Sequence, residues 1–260
     1  MMYLSQLMIN IGDNPDRPRP GHTWLRNIYH VHQRLCMGFP SAERLEHDPL
    51  FLQPFDPGHF LAGENLDQAG RGPNNRFLFR IDPRPGASPV IVVLSARKPD
   101  WGYAFQNARP LLAADPAVRE YVPLFVSGHS LRFRILINLS KKSMKHREGW
   151  IDEEGRPKCQ GKRVALTWNA NERPEDVIVP WFSRKGEQHG FAVSECHVVH
   201  LGWVGGYRSD KEHLKFRSAL LEGRLSVENP EQFGQSLRSG IGSAKAFGFG
   251  LLSVAPAGDR

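Results

Sequence analysis

Near the start of the chain, Tyr3-Leu4-Ser5-Gln6-Leu7-Met8-Ile9-Asn10-Ile11 partly alternates apolar and polar residues, a two-residue period that predicts a strand. Prolines at 15, 18 and 20 break the pattern and set a loop. Beyond them, Trp24, Ile28, Val31 and Leu35 are spaced by four, three and four residues and fall on one helical stripe. The spacing predicts a helix over 23–37, capped by Thr23 and ended by Gly38-Phe39-Pro40. Residues 41–75 are rich in Pro, Asp and Gly, have no period, and read as irregular. Two strands follow, over 76–81 and 90–94, around the turn Asp82-Pro83-Arg84-Pro85-Gly86. A short helix near 109–120 and a strand over 131–137 complete the order βαββαβ.

The same order then recurs. A strand is expected over 163–168 and a helix over 174–185, with Val177, Ile178, Trp181 and Phe182 on its apolar side. Strands over 191–203 and 214–227, a helix over 229–238 begun by Asn229-Pro230, and a strand over 248–254 follow. Two such units predict an α+β chain of two tandem ferredoxin-like (RRM-like) βαββαβ domains. The expected boundaries are 1–140 for the first domain, 141–162 for a basic linker and 163–260 for the second. The halves share a pattern and not residues.

Composition narrows the class. The 260 residues are 40% hydrophobic and 23% charged, a globular balance with length enough for two cores. No apolar run approaches the roughly 18 residues of a membrane span. Met1-Met2-Tyr3-Leu4-Ser5-Gln6-Leu7 lacks a basic segment followed by an apolar one, so no secretory signal is expected. Cys36, Cys159 and Cys196 are too few and too scattered for a disulfide framework, which fits a cytoplasmic protein. The formal charge of +7 is uneven. Residues 141–163 hold Lys141, Lys142, Lys145, Arg147, Arg156, Lys158, Lys162 and Arg163 against Glu148, Asp152, Glu153 and Glu154. Such a field attracts polyanions, above all nucleic acid, although a solvated linker would carry the same charge.

Two segments could carry chemistry. In the run from Ser239 to Val254, Gly240, Gly242, Gly248 and Gly250 allow backbone N–H groups to approach phosphate oxygens, with Lys245 adding a cation. No Gly-Lys-Ser/Thr triplet ends the run, and lysine stands where a dinucleotide fingerprint needs its third glycine. A flexible loop feeding a buried last strand has the same composition. On the first helix, Tyr29 and His32 lie about 60° apart at the border of the apolar stripe, while His30 points to the opposite face. Imidazole and phenol together can move a proton at neutral pH; a half-buried pair satisfied by backbone partners has the same spacing. Cys196 and His200 fall on one face of a strand, but two ligands with no second cluster make no zinc site. Neither a metal nor a cofactor is expected.

These residues resemble a known family. Ser239–Pro256, ending Gly248-Phe249-Gly250-Leu251-Leu252-Ser253-Val254-Ala255-Pro256, is similar to the C-terminal signature of the CasE family, the CRISPR repeat-processing endoribonucleases of type I-E Cascade. Met2-Tyr3-Leu4-Ser5 resembles the family's first strand, Tyr29-x-x-His32 followed by Leu35 its first-helix motif, and Gly161-Lys162-Arg163-Val164-Ala165-Leu166 its central basic motif. The resemblance covers nearly the whole chain. It implies two ferredoxin-like domains and metal-independent cleavage of precursor CRISPR RNA on the 3′ side of a repeat stem-loop, with the product kept for a Cascade-type complex. His32 and Tyr29 would be catalytic. Lys162 and Arg163 with Gly242, Ser243 and Lys245 would grip RNA. A hairpin over 206–215 would enter the stem's groove through Arg208, Lys211 and Lys215, and Arg34 would supply the first helix's basic group. Partners would be the repeat RNA hairpin and other Cascade subunits, with no membrane. A non-catalytic RNA clamp would share the basic stretch and the glycines without needing Tyr29 and His32. A mononucleotide-dependent enzyme is disfavoured by the missing Walker and Rossmann features.

Overall fold

The computed structural model describes residues 1–12, 20–60, 77–151, 157–209 and 212–257. In chain order the first half forms β1 (Met2–Met8), α1 (Pro20–Leu25), α2 (Ile28–Cys36), α3 (Ala42–His47), β2 (Phe77–Asp82), β3 (Val90–Ser95), α4 (Trp101–Phe105) and β4 (Ala117–Tyr121). The second half forms β5 (Ser130–Asn138), β6 (Ser140–Ile151), β7 (Pro157–Ala165), α5 (Pro174–Glu187), β8 (Phe191–Ser209), β9 (Glu212–Val227), α6 (Pro230–Ser239) and β10 (Ser253–Pro256).

Two four-stranded antiparallel sheets result, ordered β2-β3-β1-β4 and β10-β5-β9-β8. In each, the first and third strands of the unit are central and the second and fourth lie at the edges. This is the ferredoxin-like arrangement, twice. Alternation along β2 explains how the halves meet. Phe77 and Phe79 enter the first core with Leu7, Ile9, Ile91, Val93 and the inner residues of α2 and α4. Leu78 points the other way and joins Met2, Leu94 and Leu251 in a small cluster between the sheets. Each fully buried Leu or Phe side chain of this kind contributes about 1.5–3 kcal/mol. The second core packs Ile135, Ile137, Leu221 and Leu225 under Ile178, Phe182, Phe233 and Leu237 of α5 and α6.

Several expected elements move. The helix over 23–37 is two helices, because Asn27 leaves helical geometry (φ −107°, ψ 96°) and caps α2 by accepting from the Tyr29 N–H. The helix near 109–120 is a 3-10 turn at Arg109–Leu111 followed by β4. The strand expected over 131–137 pairs with β9 and β10, so it opens the second sheet rather than closing the first. Residues 141–162 are no plain linker: β6 and β7 pair Ser140 with Ala165 and His146 with Cys159 in a two-stranded ribbon. The expected strand over 163–168 is the end of that ribbon. The final strand begins at Ser253 because Gly248 and Gly250 keep positive φ and prolong the loop. Within 41–75, α3 is an unforeseen helix capped by Ser41, and residues 61–76 lie outside the described residues.

Candidate active site

Helix α2 buries Ile28, Val31, His32, Leu35 and Cys36, a stripe wider than the sequence spacing indicates. His32 is therefore inside the stripe and not at its border: it is 1% exposed. Its ring lies 5.6 Å from Phe77, stacks on Phe79 at 6.4 Å, and meets the edge of Phe247 at 6.2 Å. One turn on, the Cys36 Sγ is 3.7 Å from the His32 Nε2. Tyr29 is half-buried beside this box, with the Arg208 guanidinium 5.5 Å over its ring. His30 is exposed and reaches Tyr207 at 6.0 Å.

Phe247 belongs to the Gly-rich loop, so the loop closes the box. Three features hold it there. Phe247 stacks on Phe216 of β9 at 5.1 Å, and Phe249 meets the same ring at 5.7 Å. The Gly250 N–H donates to the Leu136 carbonyl and the Ile241 N–H to the Gly250 carbonyl. Gly250 has φ +82°, and a Cβ there would sit 2.6 Å from the Ile241 oxygen, so only glycine fits. Ser243 is held inward: its Oγ accepts from the Asn138 amide at 3.1 Å and pairs with the Ser140 hydroxyl at 2.8 Å. It anchors the loop to β5 and β6, and Gly242 beside it has φ +87°.

The loop is also where positive charge gathers. Lys245 is half-buried, and its ammonium is held below the usual lysine range by burial and by the charge of Arg163. His189, bonded through Nδ1 to the Ser236 hydroxyl at 2.8 Å, is pushed down to about 4 by burial and then by Lys185 and Lys245. Lys185 and Lys245 thus act on His189, and Arg163 on Lys245, so that positive charge runs along the loop as a field suited to a phosphate.

Asn27 joins the two domains at the site. Besides capping α2, its amide donates to the Tyr207 carbonyl at 3.1 Å, and its Oδ1 accepts from the Tyr207 N–H at 3.2 Å. The clasp needs Gly206, where a Cβ would come 2.3 Å from that Oδ1. The 19-residue β8 carries these groups well beyond its sheet. Sequence reasoning missed Asn27 and Phe247. An Asn immediately before Ile28 is a cap signal, whereas nothing in sequence marks the aromatic inside a glycine run as a lid.

Of the other candidates, Arg208 and Lys215 lie on the β8–β9 hairpin; Lys211 and the Lys162 side chain lie outside the described residues. Arg34 is turned inward: Nη1 donates to the Ala104 carbonyl at 2.9 Å and to Asn107 at 2.8 Å, and its guanidinium rests over Phe51. It joins α2 to the first domain's core rather than to the positive charge along the loop. Cys196 and His200 do not share a face. A bulge between Val198 and His200 pairs them with the consecutive residues Leu221 and Leu220, which turns His200 over. Burial lifts the Cys196 thiol to about 11, and it stays protonated.

A family described as CRISPR associated protein matches residues 2–256. The CRISPR-associated endoribonuclease Cse3 of Thermus thermophilus is 32% identical over 210 residues, 76% of this chain and 88% of that protein. The chain belongs to the CasE/Cse3 family. The Cascade subunit CasE of Escherichia coli is 23% identical over 256 residues, covering 98% of this chain and all of that one. Among solved structures, Cse3 bound to a 19-nucleotide RNA aligns with TM-score 0.63 at 25% identity over 98% of this chain and 100% of that one. Thermus thermophilus Cse3 bound to an RNA representing a pre-cleavage complex aligns with TM-score 0.63 at 26% identity over 98% and 99%. Among the described residues, no helix is long and apolar enough to cross a membrane.

Proposed function

We propose that this protein is a metal-independent endoribonuclease that cuts precursor CRISPR RNA at the 3′ side of a repeat stem-loop and keeps the product for a Cascade-type complex. The observation that carries the reading is the meeting of the Tyr29-x-x-His32 helix with the Gly-rich loop at Phe247, beside Lys245 and Arg163. Support also comes from relatives whose names describe an endoribonuclease and a Cascade subunit, and from a relative solved with RNA.

RNA carries its own nucleophile. When the ribose 2′-OH lies in line with the next phosphorus, His32 takes its proton and the 2′-oxygen bonds to phosphorus. The bond to the 5′-oxygen breaks, and that oxygen takes a proton. The products are a 2′,3′-cyclic phosphate and a 5′-hydroxyl. Tyr29 orients the 2′-OH or assists the leaving oxygen, and Lys245 or Lys162 steadies charge on the phosphorane. Positioning and proton transfer supply the rate, so the reaction has no need of a Lewis acid. Because His32 is enclosed, RNA must displace Phe247 before the imidazole can act. The stem is held by shape and phosphate contacts from the basic ribbon and the β8–β9 hairpin, through Arg163, Arg208 and Lys211. Affinity therefore falls as salt rises.

Incubation with a labelled repeat hairpin in EDTA tests this. Cutting that His32→Ala abolishes while binding persists is the expected result. Tight binding without cutting by the unaltered protein would leave an RNA clamp.

A further inference from the structure

The β8–β9 hairpin keeps large aromatic side chains in solvent. Trp203 is 62% exposed and Tyr207 is also exposed. Antiparallel register pairs Trp203 with Arg217 and Gly205 with Lys215. These residues share a face, because side chains alternate along a strand. Val204 and Phe216 take the opposite face, where Val204 packs on the first core and Phe216 on the Gly-rich loop. Cations rest on two rings here, the exposed Trp203 and the half-buried Trp168 at the edge of the second core. The Lys215 Nζ lies 4.5 Å from the centre of Trp203, and the Arg217 guanidinium 3.7 Å from the centre of Trp168.

We propose that Trp203 with Lys215, continued by Trp168 with Arg217, is a stacking platform for unpaired nucleotides flanking the RNA stem. The proposal rests on the RNA reading above. An indole presents a flat apolar face to a base, and the ammonium resting on it is placed to follow the adjoining phosphate. A paired stem has its base faces already stacked, so only single-stranded nucleotides can use the platform. Two cations stacked on two rings favour a ligand that is aromatic and anionic together, which a nucleotide is. A protein surface matching them would need acidic groups set among apolar ones.

The test measures fluorescence anisotropy with three RNAs: the bare hairpin, and the hairpin with several unpaired nucleotides added on the 5′ or the 3′ side. An unpaired flank should tighten binding of the unaltered protein. Trp203→Ala should lose on the order of tenfold to a hundredfold on the flanked RNA that gains, the scale of one base–aromatic stack. It should bind the bare hairpin as before, and Trp203→Phe should keep most of the gain. Equal affinity of Trp203→Ala and the unaltered protein for both flanked RNAs would overturn the platform. So would an equal loss on the bare hairpin, or unchanged RNA binding with lost co-elution of partner subunits, which would make the face a protein contact. Failure of the unaltered protein to bind even the bare hairpin would instead remove the RNA reading itself.

Discussion

At the scale of single residues the site is an imidazole under a lid. Phe77 and Phe79 fix the His32 ring from the sheet, and Phe247 covers it from the loop. In the second domain, after α5, His189 shows what nearby lysines do to a titrating group. Its folded value of about 4 lies below the ordinary 6.5, through burial first and then Lys185 and Lys245. The unfolded chain takes up this proton as pH falls below 6.5, while the folded chain refuses it until about 4. The fold consequently loses stability across that window and is unaffected by His189 above it. Urea midpoints at pH 7 and pH 4.5 should differ less for His189→Gln than for the unaltered protein; an equal difference would contradict this. The sequence shows Tyr29 and His32 three residues apart on a helix, and α2 carries both. The burial of His32 was not legible, because a stripe drawn through Trp24, Ile28, Val31 and Leu35 assumes one unbroken helix. The Asn27 break and the docking of Phe247, distant in sequence, place His32 inside.

At the scale of elements, one side chain serves a helix and a hairpin. Asn27 caps α2 and exchanges two hydrogen bonds with the backbone of Tyr207. Asn27→Ala should cost about 1–2 kcal/mol, as the loss of a helix cap does. It should also slow cleavage, since Tyr29 and Arg208 would lose their register. Gly206→Ala drives a Cβ into the same amide. The two changes should couple, with Gly206→Ala costing less when Asn27 is already alanine. Additive costs would mean that the clasp does not hold hairpin and helix together. Cys196 and His200 show the limit of pattern here: their spacing of four predicts one face, and a single bulge at Val198/His200 reverses it. A bulge has no spacing signature, so no period finds it.

At the scale of the whole molecule, two ferredoxin-like units share a buried arginine. Arg80 on β2 makes paired bonds to Asp82 at 2.7 and 2.9 Å and reaches across to the Arg134 carbonyl, the Leu251 carbonyl and the Ser253 hydroxyl. Removing Arg80 leaves Asp82 with Arg134 alone, at 3.8 Å, and takes the buried donor from the Arg134 and Leu251 carbonyls. Arg80→Ala should lower the unfolding free energy by about 3–5 kcal/mol, measured by denaturant titration. A change below about 1 kcal/mol would deny it this role. The repeated βαββαβ order was legible because apolar periodicity marks most strands and helices. Where the second unit begins was not. The strand Leu131–Ile137 alternates equally well as the end of one unit or the start of the next, and only its pairing with β9 and β10 decides. Lysines masked the ribbon β6–β7, since its strands lack the apolar alternation by which a strand is read.

The central claim is that RNA supplies the attacking oxygen while the His32 helix and the Gly-rich loop align it. A repeat hairpin carrying one 2′-deoxy sugar at the nucleotide before the cut tests this most directly. The account predicts undiminished binding and no cleavage, in EDTA or with magnesium. Continued cutting at that bond would contradict it.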